Sequence, residues 1–162
     1  MELYELQWLF PEGIYIVPEK RILRPFQDTF PPSTQYLCIF GNEADYKLKN
    51  KENKGVFERM IEALAKQQKA STPIHEALFT IWLADEWPGQ RFDFDTKATS
   101  LQKVICFGVD LATLGLPTAA VPYQVCPWVD TVDLIQADSL ALIEKDASLK
   151  KALWTALVQM FP

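Results

Sequence analysis

His75 is the chain's single histidine, and it stands in a proline-flanked segment just before a strand-like apolar run. To act as a general base it would need a serine or cysteine nucleophile and a third group to orient it. No such partner lies in its sequence context, so a structural role is expected. Two acid pairs, Asp85 with Glu86 and Asp93 with Asp95, fall in a polar, aromatic-rich loop. Paired carboxylates can share acid/base work, but in an acidic chain the expectation is solvated loop acids. Asp110 follows the run Val104-Ile-Cys-Phe-Gly-Val109. That is where open α/β sheets bind ligands, at the carboxyl end of a strand, and a helix N-cap is the plainer role for it. The chain has no Gly-x-Gly-x-x-Gly, and its six glycines leave little room for a phosphate-cradling loop. One histidine and three scattered cysteines provide no metal-ligand spacing, so neither metal nor cofactor is expected.

The charge balance narrows the partners. A net charge of −5 argues against gripping nucleic acid, because phosphate contacts need clustered Lys and Arg. The lysine-rich stretch Lys47–Lys54 reads as a solvated loop or helix face. Cys38, Cys106 and Cys126 are odd in number and lack a Cys-x-x-Cys, and two of them sit inside apolar runs. They are expected to be buried free thiols in a reducing compartment. Glu2, Glu5 and Glu12 occupy the places where a signal peptide would have its basic region and apolar core. No apolar run approaches membrane-spanning length. The expectation is therefore a cytoplasmic protein with no membrane partner.

The elements that must position these residues divide the chain at residue 33. Residues 2–10 suit a short helix with Leu3, Leu6 and Phe10 along one stripe, and Ile14-Tyr-Ile-Val17 suits a strand. Four prolines in residues 18–33 mark an extended connection, so residues 1–33 read as an arm. Residues 34–162 read as an α/β domain, long enough to bury a core. Continuous apolar runs near 36–40, 77–83, 104–109 and 132–137 have the character of buried parallel strands. Val56, Phe57, Met60, Ile61 and Leu64 recur at helical spacing, and Leu111–Leu116 suits a short turn of helix. Tyr123–Trp128 is a further candidate strand. Ser139 opens a short helix, and Asp146 caps a terminal one whose core stripe is Leu149, Leu153, Ala156, Leu157 and Met160. Trp154, beside that stripe, is expected in the core. Strands alternating with helices imply helices on both faces of a mostly parallel sheet.

Two parts of the chain carry a family resemblance. Ala137-Asp-Ser-Leu-Ala-Leu-Ile143 followed by Ala152-Leu-Trp-Thr-Ala-Leu157 resembles the closing strand and helix of the psi subunit of bacterial DNA polymerase III. Tyr4-Glu-Leu-Gln-Trp-Leu9 followed by Gly13-Ile-Tyr-Ile16 resembles that family's N-terminal helix and strand. Between them, Tyr36–Asn42, the helix near 55–66 and the strand near residue 80 follow in the same order.

The resemblance implies a three-layer α/β/α sandwich similar to uracil-DNA glycosylases but without their activity. In those enzymes the turn after the first core strand holds a water-binding Asp or Asn. Gly41-Asn42-Glu43-Ala44 keeps the Asn and lacks the following Pro-Gly. Their second motif is His- or Asn-Pro-Ser, and Ala137-Asp138-Ser139 keeps only the Ser. The Ala137 side chain cannot donate a hydrogen bond to a base carbonyl, so stabilisation of the departing base would be lost. No catalytic residue is expected, and Ser139 reads as a helix N-cap.

The implied role is an adaptor joining the clamp loader to a chi-like subunit. Tyr4, Trp8, Leu9, Ile14, Tyr15 and Ile16 would dock on the clamp-loader collar, while the globular body would hold the chi-like partner. The alternative for these residues is that the arm packs on its own domain. The Pro117–Pro127 connection is longer than in the family, and the Arg-rich stretch after the N-terminal strand is reduced to Lys20, Arg21 and Arg24. A divergent glycosylase-like repair enzyme and an α/β interaction module of unrelated role are the alternative readings.

Overall fold

A computed structural model describes residues 23–25, 31, 33–87, 91–93, 100–115, 120–129 and 131–162. Tyr4, Trp8, Leu9, Ile14, Tyr15 and Ile16 lie outside these residues, as do the helix and strand expected there, Asp95 and Pro117.

The strands in chain order are β1 (Leu23–Pro25), β2 (Tyr36–Phe40), β3 (Phe79–Leu83), β4 (Arg91–Asp93), β5 (Lys103–Phe107), β6 (Cys126–Val129) and β7 (Val132–Ala137). Five of them form one sheet in the order β3-β2-β5-β7-β6. β3, β2, β5 and β7 run parallel, and β6 closes one edge antiparallel to β7. β1 and β4 pair as a separate parallel ladder. The expected mostly parallel sheet is therefore present.

Its continuous apolar strands follow from burial on both faces. In register, Cys38 lies opposite Ile105 and Ile105 opposite Ile135, while Phe40 lies opposite Phe107 and Phe107 opposite Ala137. These side chains face one core, and Leu37, Ile39, Val104, Cys106 and Leu134 face the other.

Four helices pack on the first face: α1 (Glu43–Tyr46), α2 (Val56–Gln67), α3 (Leu140–Lys145) and α4 (Ala147–Met160). α2 buries Phe57, Ile61 and Leu64 at the spacing expected of one helix face. α4 buries Leu153, Ala156, Leu157 and Met160, with Leu149 and Trp154 half-buried against the same cluster. Lys150, Lys151, Thr155 and Gln159 are exposed, as the stripe requires. Asp146 caps this helix by accepting from the Ser148 and Leu149 amides at 2.8 and 3.3 Å. The Ser148 hydroxyl and these amides hold its carboxyl below the usual range. At the other end the Lys103 ammonium donates to the Met160 carbonyl and lies 5.2 Å from the centre of the Phe161 ring. A cation there complements the partial negative charge of a helix C-terminus.

Helices were expected on both faces of the sheet, and the described α-helices occupy only one. The second face is covered among the described residues by Leu101, Val109, Leu111 and Leu114, with Trp82 buried beside them. Leu111–Leu116 was expected to be helical. Its described part, residues 111–115, forms turns instead, with the Thr113, Leu114 and Gly115 amides each bonding three residues back. The Asp110 carboxylate draws the Ala112 amide to 3.0 Å, and Gly115 turns to a positive φ of 73°, which stops propagation. Residues Ala77 and Leu78, expected to begin β3, belong to a 3₁₀ turn spanning Glu76–Leu78, so the strand starts at Phe79. Of the Tyr123–Trp128 candidate only the end from Cys126 is strand, because Tyr123 has a φ of 60° that no strand accommodates.

Candidate functional site

The parallel strands β2, β5 and β7 bring their carboxyl ends together at Gly41-Asn42, Gly108-Val109 and Asp138-Ser139. Between these turns lies a cleft of about 340 Å³ lined by Asn42, Asp45, Phe107, Gly108, Ser139 and Ala141. A crevice at the carboxyl ends of parallel strands is the usual ligand position of open α/β sheets. Gly108 is required by the close approach of the strands. Its φ is +63°, and a Cβ there would meet the Ser139 Cβ at 3.0 Å. The Gly108 amide also donates to the Ala137 carbonyl at 2.9 Å, tying β5 to β7.

The turn from β7 into α3 presents a row of backbone amides, the standard means of holding an anion or carbonyl. Here side chains of the same chain bond the Asp138, Leu140 and Ala141 amides. The Asp138 amide donates to the Tyr123 hydroxyl at 3.2 Å. The Leu140 amide donates to Asp45 Oδ2 and the Ala141 amide to Asp45 Oδ1, both at 2.9 Å. The Leu142 amide donates to the Ser139 carbonyl at 3.0 Å, with Ser139 Oγ at 3.4 Å. Asp45 is only 7 % exposed, and its bonds to α3 span 95 and 96 residues of sequence. A carboxylate at a helix N-terminus satisfies both the amides and the helix dipole.

The residues singled out in the sequence take quieter positions. Asn42 caps α1, its Oδ1 accepting from the Asp45 amide at 2.8 Å. Ala137 is 5 % exposed and packs in the helical-face core beside Phe107. Ser139 caps α3, as expected, whereas Asp110, expected to cap a helix, bonds the Ala112 amide in a turn that does not become one. His75 is exposed and lines a different cleft, beside Pro73 and Ile74. Asp85 and Glu86 are exposed in a 3₁₀ turn after β3, and only the Asp85 amide reaches the crevice wall, donating to the Gly41 carbonyl at 3.2 Å.

No protein-family model, curated protein or solved structure matches this chain.

The thiols of Cys38 and Cys106 are fully buried, and burial pushes both upward. Cys126 is half-buried, and all three cysteines are free. Among the described residues, no three His, Cys, Asp or Glu side chains group as metal ligands, and no helix is long and apolar enough to cross a membrane.

Asp45 and Tyr123 were not foreseen as site residues. Asn42-x-x-Asp45 has the spacing of a capping box, in which the fourth residue reaches back to the cap. That spacing was the one local signal available for Asp45. Its carboxylate turns instead to α3.

Tyr123 leaves a measurable signature. Its hydroxyl donates to Asp138 Oδ2 at 2.6 Å. Burial first, then the neighbouring Asp138 carboxylate, push its phenol up to about 12. The fold thus favours the protonated phenol. This contribution to stability is complete below the free phenol value of about 10 and is lost as the pH rises through about 12. Urea midpoints measured from roughly pH 9 to pH 12 should fall more steeply for the native protein than for Tyr123→Phe. Parallel curves would mean that Tyr123 does not couple to folding.

Proposed function

We propose that this protein is a non-catalytic adaptor of the replicative clamp loader, similar in role to psi subunits. In this reading the scaffold is a uracil-DNA-glycosylase-like α/β fold in which amides at the crevice are taken up by the chain's own side chains. The observation that carries it is the Asp45 carboxylate seated on the Leu140 and Ala141 amides. A glycosylase must present donors to a departing base. Here those amides already have a partner, and Ala137 brings no donating side chain to the strand end. With the Leu140 and Ala141 amides taken up and Ser139 serving as a helix cap, this reading places the protein's use on its surface.

The surfaces follow from the resemblance. The arm, through Tyr4, Trp8, Leu9, Ile14, Tyr15 and Ile16, docks on clamp-loader subunits, and the α/β body holds a chi-like partner. The chain itself, with a net charge of −5, is not a specific nucleic-acid binder.

The test combines binding with stability. Trp8→Ala and Tyr15→Ala should leave the melting temperature nearly unchanged. Each should weaken capture of purified clamp-loader subunits by about 2 kcal/mol if it is an interface hot spot. A large fall in melting temperature for both would make the arm part of the core and end its docking role. Release of uracil from DNA with turnover would favour a divergent repair enzyme instead.

A further inference from the structure

A groove of about 340 Å³ lies among α2, α3 and α4 on the helical face of the sheet. α2 lines it with Val56, Met60 and Ala63, at positions i, i+4 and i+7, and α4 lines it with Leu153, Trp154 and Leu157. Leu153 and Leu157 are buried in the core. Val56, Met60 and Trp154 are only half-buried, and Ala63 is exposed. Apolar side chains on two helices thus stay open to one groove.

Helices that offer apolar residues at this spacing form the receiving side of helix-in-groove docking, whose anchors recur at i, i+3, i+4 and i+7. The chain itself carries such a set. Leu3, Leu6 and Phe10 stand at i, i+3 and i+7 in the amphipathic segment 2–10, which lies outside the described residues. At helical spacing Trp8 falls nearly opposite that stripe. Charge agrees with the pairing. Residues 2–19 carry Glu2, Glu5, Glu12 and Glu19 and no lysine or arginine, while the groove sets Arg59 and Lys150 against the single acid Glu144. Arg59 lies 3.7 Å from Glu52 and Lys150 3.3 Å from Glu144, exposed pairs that contribute little and leave both cations open to a further acid.

The connection reaches far enough. Residues 11–22 join the stripe to Leu23, and extended they span up to about 40 Å, whereas a body of this size has a radius of gyration of about 14 Å. A short tether holds the two surfaces at an effective concentration on the order of millimolar, which favours this occupant over a free partner of equal affinity. We propose that the groove docks the Leu3, Leu6 and Phe10 stripe of the chain's own N-terminal segment, leaving Trp8 outward for a partner. The inference deepens the adaptor reading of the arm and rests on it for what Trp8 meets.

The test uses the full chain and follows the Met60 methyl and Trp154 indole resonances. Leu3→Asp with Leu6→Asp should shift both, while Trp8→Ala should leave both in place. In the reverse direction, Ala63→Glu sets a charge at an exposed site in the groove, so circular dichroism should show an unaltered fold. It should speed cleavage after Glu5 by a glutamate-specific protease about tenfold, because proteolysis tracks the population of the open form. Glu62→Ala, exposed on the same helix and outside the groove, should leave that rate unchanged.

Met60 and Trp154 resonances that ignore the Leu3 and Leu6 changes would overturn the proposal. So would equal cleavage of the native protein and Ala63→Glu, or a response at the groove that fades on dilution, which marks a second copy as the occupant. A response at the groove, with clamp-loader capture unaffected by Trp8→Ala and Tyr15→Ala, supports the docked segment and removes the adaptor reading. Capture weakened by those changes, without any response at the groove, keeps the adaptor and removes the docked segment.

Discussion

Asp45→Ala should lower the stability of the protein by about 2–4 kcal/mol, read from urea midpoints at constant slope. The substitution leaves the Leu140 and Ala141 amides without their acceptor at the start of α3. Hydrogen bonds to a charged group contribute roughly 1.5–3 kcal/mol each, and the helix dipole adds about 0.3–1 kcal/mol. The Ala141 amide is only partly buried, so water relieves some of its loss and the sum stays below the full total. Asp45→Asn keeps a single acceptor oxygen and turns an amide donor toward the second N–H. It should lose about half as much. The residue sits on α1, only four residues long, so its own helix contributes little that could mask the effect. A change below about 0.5 kcal/mol for alanine, the range of ordinary surface substitutions, would mean that the carboxylate does not hold α1 to α3.

Phe57→Ala should cost more, about 3–5 kcal/mol, the usual range for truncating a buried phenylalanine. Phe57 is 1 % exposed and sits where α2 meets the sheet. Its ring centre lies 5.4 Å from that of Phe40, 5.9 Å from Phe79 and 6.5 Å from Phe107, all in edge-to-face arrangements. These partners belong to β2, β3 and β5, so one side chain ties the helical layer to three adjacent strands. Each such ring pair adds roughly 0.5–1.5 kcal/mol beyond buried area. Phe57→Leu fills most of the volume and should lose about half as much. Glu62→Ala on the exposed side of the same helix should stay within about 0.5 kcal/mol. A Phe57→Ala loss under about 1.5 kcal/mol would show that the aromatic cluster closes over the gap and does not depend on this ring.

What the sequence disclosed and what it hid separate along one physical line. β2, β5 and β7 were visible because burial on both faces writes an unbroken apolar run. α2 and α4 were visible because a one-sided helix writes its period into the chain, and Ser139 and Asp146 because capping is local. α1 is too short to write a period. The partners of Asp45 lie on another helix far along the chain, and no spacing rule reaches that far. Tyr123 adopts a left-handed backbone that its residue type disfavours, and it is held there by its amide bond to the Gln136 carbonyl at 2.8 Å and by Asp138. In the crevice, Asn42 was legible only as a residue, and its use as the cap of α1 depends on how the turns meet.

The strand order has a consequence for how the chain reaches its native state during synthesis. β5 stands between β2 and β7, so after it leaves the ribosome it keeps an open, apolar edge until residues 132–137 are made. The face carrying Cys38, Phe40, Ile105 and Phe107 waits longer still, because α3 and α4 come last. Parallel pairing of distant segments is slow, and transiently bare strand edges are the surfaces that aggregate. Nascent chains halted before residue 132 would therefore be clients for holdase chaperones, and the emergence of α4 would be the event that commits the sheet.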